Sequence, residues 1–105
     1  MTKCKITILK RTLDNDLAEK YVEEERKKTY GPCEVFKEGQ EFITDVYSGI
    51  PPGFCTWAWN DLYKVLITLI SGGNFGMWYK NKDSIIACCS DGVRPVIFKV
   101  EKINE

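Results

Sequence analysis

The sequence predicts an α+β domain, a small mostly antiparallel sheet packed on one largely buried helix, in the order β-α-β-α-β-β. Three observations carry this expectation. Residues 3–11 alternate, with Cys4, Ile6 and Ile8 on one side of a strand and Lys5, Thr7 and Leu9 on the other. From Thr56 to Ser71 the polar residues are Asn60, Asp61, Lys64, Thr68 and Ser71, one thin stripe at helical spacing, and everything around them is apolar. Two β-rich runs, "SIIACC" and "VRPVIFKVEKI", flank Asp91-Gly92, a dipeptide suited to a type I′ hairpin turn.

The remaining elements follow in order. After the first strand, Asp14 or Asp16 offers an N-cap to a helix over "LAEKYVEEERKK". Leu17, Ala18, Tyr21 and Val22 share its apolar face, and Glu23–Lys27 and Glu24–Lys28 stand at favourable i,i+4 spacing. Gly31 and Pro32 end it. Phe42, Thr44 and Val46 alternate with Glu41, Ile43, Asp45 and Tyr47 in a second strand. "GIPPG" is a stiff loop leading to the second helix, with Thr56 as its N-cap and Gly72 closing it. Trp57 and Trp59 then lie in its first turn, about 200° apart at 100° per residue. They cannot form one flat wall. Both pack in the core, or one of them faces a ligand.

The chain has 105 residues, which fits one domain, 1–105. Fifteen basic residues balance fifteen acidic ones, so nothing draws the protein generally to nucleic acid or to an anionic membrane. Near-neutrality favours self-association. The helix over 57–71 is also wider in its apolar circumference than a small sheet covers. A homo-oligomer, most simply a dimer, is expected. "MTKCKITILKRT" is too broken by lysine and threonine to be a signal peptide, and "VLITLI" is too short to span a bilayer. The expectation is a cytoplasmic protein with reduced cysteines.

There is no histidine, which removes histidine acid–base chemistry, serine–histidine and cysteine–histidine nucleophiles and mixed Cys/His zinc sites. Five cysteines, Cys4, Cys33, Cys55, Cys88 and Cys89, contain no CxxC chelating pair, so no metal and no cofactor is expected. Cys33 and Cys55 follow the glycine-containing turns "GPC" and "GFC", where a thiol can be exposed. Glu41 and Asp45 stand roughly 13 Å apart along a strand, too far for a hydrolytic pair. The glycines of "SGGNFGMWYKNKDS" follow a helix rather than open one, so they are no phosphate cradle. Phe75 and Trp78 are expected to pack on the core.

With Asp91 and Gly92 as a two-residue turn, Cys89 faces Arg94, Cys88 faces Pro95, Ala87 faces Val96 and Ile85 faces Phe98. Arginine beside a thiol favours the thiolate. Cys88 falls on the opposite face with Ile86 and Ile97.

"GPC", "GQEF", "GFCTWAW", "GGNF" and "ACCSDGVRPVIFKVE" together span most of the chain. In this combination the sequence resembles a family of small prokaryotic proteins of about this length. That family has no assigned activity, so the resemblance implies a single-domain protein and transfers no catalytic residues.

Two functions follow from the residues. The first is a noncatalytic module that binds a small molecule or a protein partner, with Cys55, Trp57, Trp59, Asn74, Phe75, Cys89 and Arg94 as ligand-binding candidates. The alternative is a thiol-dependent redox or metal-binding protein using Cys55 and Cys89.

Overall fold

Alternation along the first strand decides which side of the sheet is covered. In the computed structural model, which describes residues 2–104, β1 runs Thr2–Arg11, and Cys4, Ile6 and Ile8 are its fully buried positions. The other strands are β2 (Glu41–Thr44), β3 (Ser84–Cys88) and β4 (Val96–Asn104). All pairings are antiparallel, in the order β2-β1-β4-β3. The helices are α1 (Asn15–Tyr21), α2 (Glu24–Lys27) and α3 (Thr56–Ile70). The architecture is α+β as the sequence predicts, with one short helix more than expected.

α3 lies across β1, β3 and β4. It buries Ala58, Leu62, Val65, Leu66 and Leu69 against Cys4, Ile6, Ile8, Val96, Phe98 and Val100. Large apolar side chains of this kind contribute roughly 1.5–3 kcal/mol each when fully buried. Phe36, from the connection before β2, completes the core. Its ring lies 5.0 Å from that of Phe54 and 5.4 Å from that of Phe98. Burial pushes the Cys4 thiol up to about 11, against the weaker opposite pull of Lys102.

Several local expectations change. Asp14 caps α1, accepting from the Leu17 N–H, but the helix stops at Val22, whose backbone is extended. Glu23 then caps a separate α2, its carboxylate accepting from Glu25 and Arg26 N–H. The charge pairs shift with this break. Lys27 bridges Glu19 and Glu24, and Lys28 pairs with Glu25. The second strand ends at Thr44, whose hydroxyl accepts the Val46 N–H and turns the chain. Val46 sits at φ 63°, a strained region for a β-branched residue, and is held there by burial. Cys55, not Thr56, occupies the N-cap of α3, and it makes no side-chain capping bond. The chain is set one residue earlier by the preceding turn, with Gly53 at φ 80°, the Phe54 N–H bonded to Pro51 O, and Phe54 buried. Gly72, at φ 99°, closes the helix as expected.

The hairpin is present, but its register is two residues away from a two-residue turn. Cys88 pairs with Ile97, Ala87 with Phe98 and Ile85 with Val100. The Cys89 N–H bonds to Val96 O rather than facing Arg94. A type I′ turn needs positive φ at both central residues, and Gly92 is not among the positive-φ residues described. The Asp91 carboxylate instead accepts from both Val93 and Arg94 N–H, wrapping a longer loop around itself. A slip of two preserves the faces, so Cys89 is buried towards α3 and Cys88 is exposed on the open side of the sheet.

Candidate functional site

At the N-terminal end of α3, four stretches of chain enclose a cleft of about 160 Å³. Cys33, Val35 and Phe36 come from the connection between α2 and β2. Cys55, Trp57 and Ala58 come from the start of α3. Cys89, Asp91 and Arg94 come from the β3–β4 loop, and Val96 from the start of β4. Four of the candidates from sequence, Cys55, Trp57, Cys89 and Arg94, therefore share one site.

Each wall has a local cause. Trp57 is 63% exposed, and its indole N–H donates to Ser90 Oγ at 2.8 Å. One helical turn later, Asp61 Oδ2 accepts the Ser90 N–H at 2.7 Å. These two bonds fasten the β3–β4 loop to the helix start. Arg94 fastens the same loop to the other wall. Its guanidinium donates to Gly31 O at 3.0 Å and stacks over the Tyr30 ring at 4.4 Å, with Asp91 at 3.8 Å. Arg94 thus crosses to the 30–33 segment, where its partners are Tyr30 and Gly31, while Asp91 meets it from its own loop. At the base, the Cys89 sulfur accepts the Val96 N–H at 3.3 Å. Cys33 and Cys55 are half-buried.

The other candidates lie elsewhere. Trp59 is half-buried behind the site, its ring 6.1 Å from Phe54 and 5.9 Å from Tyr63. The two tryptophans therefore separate, with Trp59 packing on the core and Trp57 forming an exposed wall. Asn74 and Phe75 belong to the loop at the opposite end of α3. Phe75 packs on the core, and the Asn74 carboxamide accepts the Gly76 N–H. Trp78, expected on the core, is 70% exposed.

In the sequence Asp91 reads only as a turn residue and Asp61 only as part of the polar helix stripe, and Ser90 and Phe36 carry no signal of a place at a site. One signal was present for Asp61. It stands at i+4 from Trp57, so both side chains reach one neighbour. Phe36 sits between charged residues in an irregular segment and has no periodicity to mark it.

A second hollow, of about 210 Å³, lies beside Lys3, Asp45 and Pro51. Its carboxylate is already occupied. Asp45 accepts from Ser48, whose backbone N–H first and hydroxyl second hold the carboxyl below its usual range. Among the described residues, no group of three or more His, Cys, Asp or Glu side chains is arranged to hold a metal ion. No described helix is long and apolar enough to cross a membrane. Against protein-family models, curated proteins and solved structures, the chain finds no match.

Proposed function

We propose that the protein is a noncatalytic binding module that takes a small, largely apolar ligand into the cleft at the start of α3. One observation carries the reading: residues distant in sequence, Cys33, Cys55, Trp57, Cys89 and Arg94, converge on one apolar recess whose walls are held by specific hydrogen bonds. Sites of this kind combine apolar walls with a few fixed polar groups. Trp57 supplies a flat aromatic surface, and Arg94, whose charge is shared with Asp91, a fixed polar edge, which together suit an aromatic or aliphatic group carrying a polar or acidic substituent. Titration with naphthoate, followed by NMR, is expected to move the Trp57 indole and the amides of Cys33, Cys89 and Arg94. Shifts confined to the 72–83 loop would overturn the assignment.

The module acts as a homo-oligomer in this proposal. Leu9, Ile43 and Ile86 are exposed apolar residues on the sheet, and the net charge is zero. A solution mass that rises above one chain as concentration reaches tens of micromolar supports assembly. A concentration-independent monomer contradicts it.

A further inference from the structure

The loop over residues 72–83, between α3 and β3, holds two apolar side chains away from the core. Its backbone is tied to the helix and to itself. Gly73 N–H donates to Thr68 O, Phe75 N–H to Lys82 O, and Gly76 N–H to Asn74 Oδ1. The Trp78 and Tyr79 N–H groups both donate to Phe75 O, the Tyr79 hydroxyl donates to Ile86 O at 3.2 Å, and the Phe75 ring packs on the core. On this fixed base Met77 and Trp78 are 87% and 70% exposed, and Met77 is the most exposed large apolar side chain among the described residues. Lys80 and Lys82 follow them, both exposed, and among the described residues neither forms an ion pair. Residues 71–82 hold no acid, and Asp83 beside them is paired with Lys102 at 3.4 Å. The tip is apolar, with two uncompensated cations next to it in the chain.

Two side chains are too few for a protein partner. A stable protein–protein contact buries about 800 Å² on each side, and one aromatic side chain supplies about 150–250 Å². A bilayer surface has no such threshold. Tryptophan rests at headgroup level, other apolar side chains enter the acyl boundary, and lysine lays its stem on apolar surface while its ammonium reaches lipid phosphate. We propose that the 76–82 loop is a peripheral docking point for an anionic lipid surface. Met77 and Trp78 enter the headgroup region, and Lys80 and Lys82 meet the lipid phosphates. The chain as a whole is neutral, so the attraction is local to this loop. The docking point lies at the end of α3 opposite the cleft and does not depend on the reading of the cleft.

The test uses the full chain and two vesicle preparations, phosphatidylcholine alone and phosphatidylcholine mixed with phosphatidylglycerol. At low salt the protein should pellet with the mixed vesicles, its tryptophan emission should shift to the blue, and brominated acyl chains should quench it. High salt should reverse the binding. Met77→Ser with Trp78→Ser should weaken binding by roughly tenfold or more, with the melting temperature unchanged because both side chains are exposed. Lys80→Gln and Lys82→Gln should each cost about fivefold on the mixed vesicles. Trp78→Phe keeps an apolar ring and should still bind, but the blue shift and quenching should vanish, which assigns the signal to Trp78 rather than to Trp57 or Trp59. Failure to pellet at low salt, equal binding to both preparations, or a blue shift that persists in Trp78→Phe overturns the proposal. If vesicles are not bound and the double serine variant instead lowers a concentration-dependent solution mass, the tip contacts a second copy of the chain and the lipid assignment is wrong.

Discussion

The two ends of α3 make an instructive contrast. Both carry cysteine, glycine or aromatic residues in dense runs, "GFCTWAW" at one end and "GGNFGMWY" at the other. At the C-terminal end the backbone closes on itself. Gly72 N–H bonds to Leu69 O, Gly73 N–H to Thr68 O, and Phe75 N–H to Lys82 O. At the N-terminal end the helix start has no side-chain cap, and contacts come from distant loops through Ser90, Asp61 and Trp57. Local hydrogen bonds fill space and leave a plug. Long-range side-chain bonds hold walls apart and leave a cleft.

The largest expected effect tests whether both ends depend on one core. Cys4 lies fully buried on the central strand β1, in the cluster that α3 covers. Its folded thiol is raised to about 11 from 9.0. The stabilising contribution is therefore complete below about pH 9 and is lost as pH rises towards 11. Two units correspond to roughly 2–3 kcal/mol. Urea melts across this range should show that loss, and Cys4→Ala should lack it. Trp57 and Trp78 signals should melt together. Separate transitions would mean that the two ends do not share a core.

Next, the closed end should resist an added methyl group. A Cβ on Gly73 would lie 2.8 Å from Thr68 Cγ2 and 2.9 Å from the Thr68 carbonyl oxygen. The second contact is backbone and cannot swing away. Gly73→Ala should cost about 1–3 kcal/mol by thermal melt, without altering naphthoate binding at the other end.

At the open end, Asp61→Ala frees the Ser90 N–H and should cost about 1 kcal/mol, an exposed bond with one charged partner. It should weaken naphthoate binding by more than its stability loss implies, because the β3–β4 loop is released. The smallest effect has the opposite sign. Cys55→Ser supplies the missing capping hydroxyl and should raise stability by about 0.5–1 kcal/mol.

These contrasts also mark what the sequence discloses. Period-two alternation placed Cys4, Ile6 and Ile8 inside, and the polar stripe of residues 60, 64, 68 and 71 predicted α3. The faces of β3 and β4 were legible because parity survives a two-residue slip. The register itself was not legible, since it depends on whether the Asp91 carboxylate or the Gly92 backbone makes the turn. The break at Val22 was hidden for the same reason: Glu23 reads as a helix-surface charge and acts as a cap. The cleft was half legible. Cys55, Trp57, Cys89 and Arg94 could be named from local chemistry. Phe36 and Cys33 reach it through an irregular segment whose path is set by tertiary packing alone.

One pair of substitutions addresses the central claim, that the open end of α3 is the binding site. Trp57 and Trp78 are similarly exposed tryptophans, at 63% and 70%, on opposite ends of the helix. Trp78→Ala removes little buried surface and should leave the melting temperature nearly constant, whereas Trp57→Ala also loses the bond to Ser90 and should cost about 1 kcal/mol, small enough to keep the fold. Naphthoate titrations of the two variants then report on the site. The account predicts at least a tenfold loss of affinity for Trp57→Ala and none for Trp78→Ala. Unchanged binding in Trp57→Ala, or loss in Trp78→Ala alone, would contradict it.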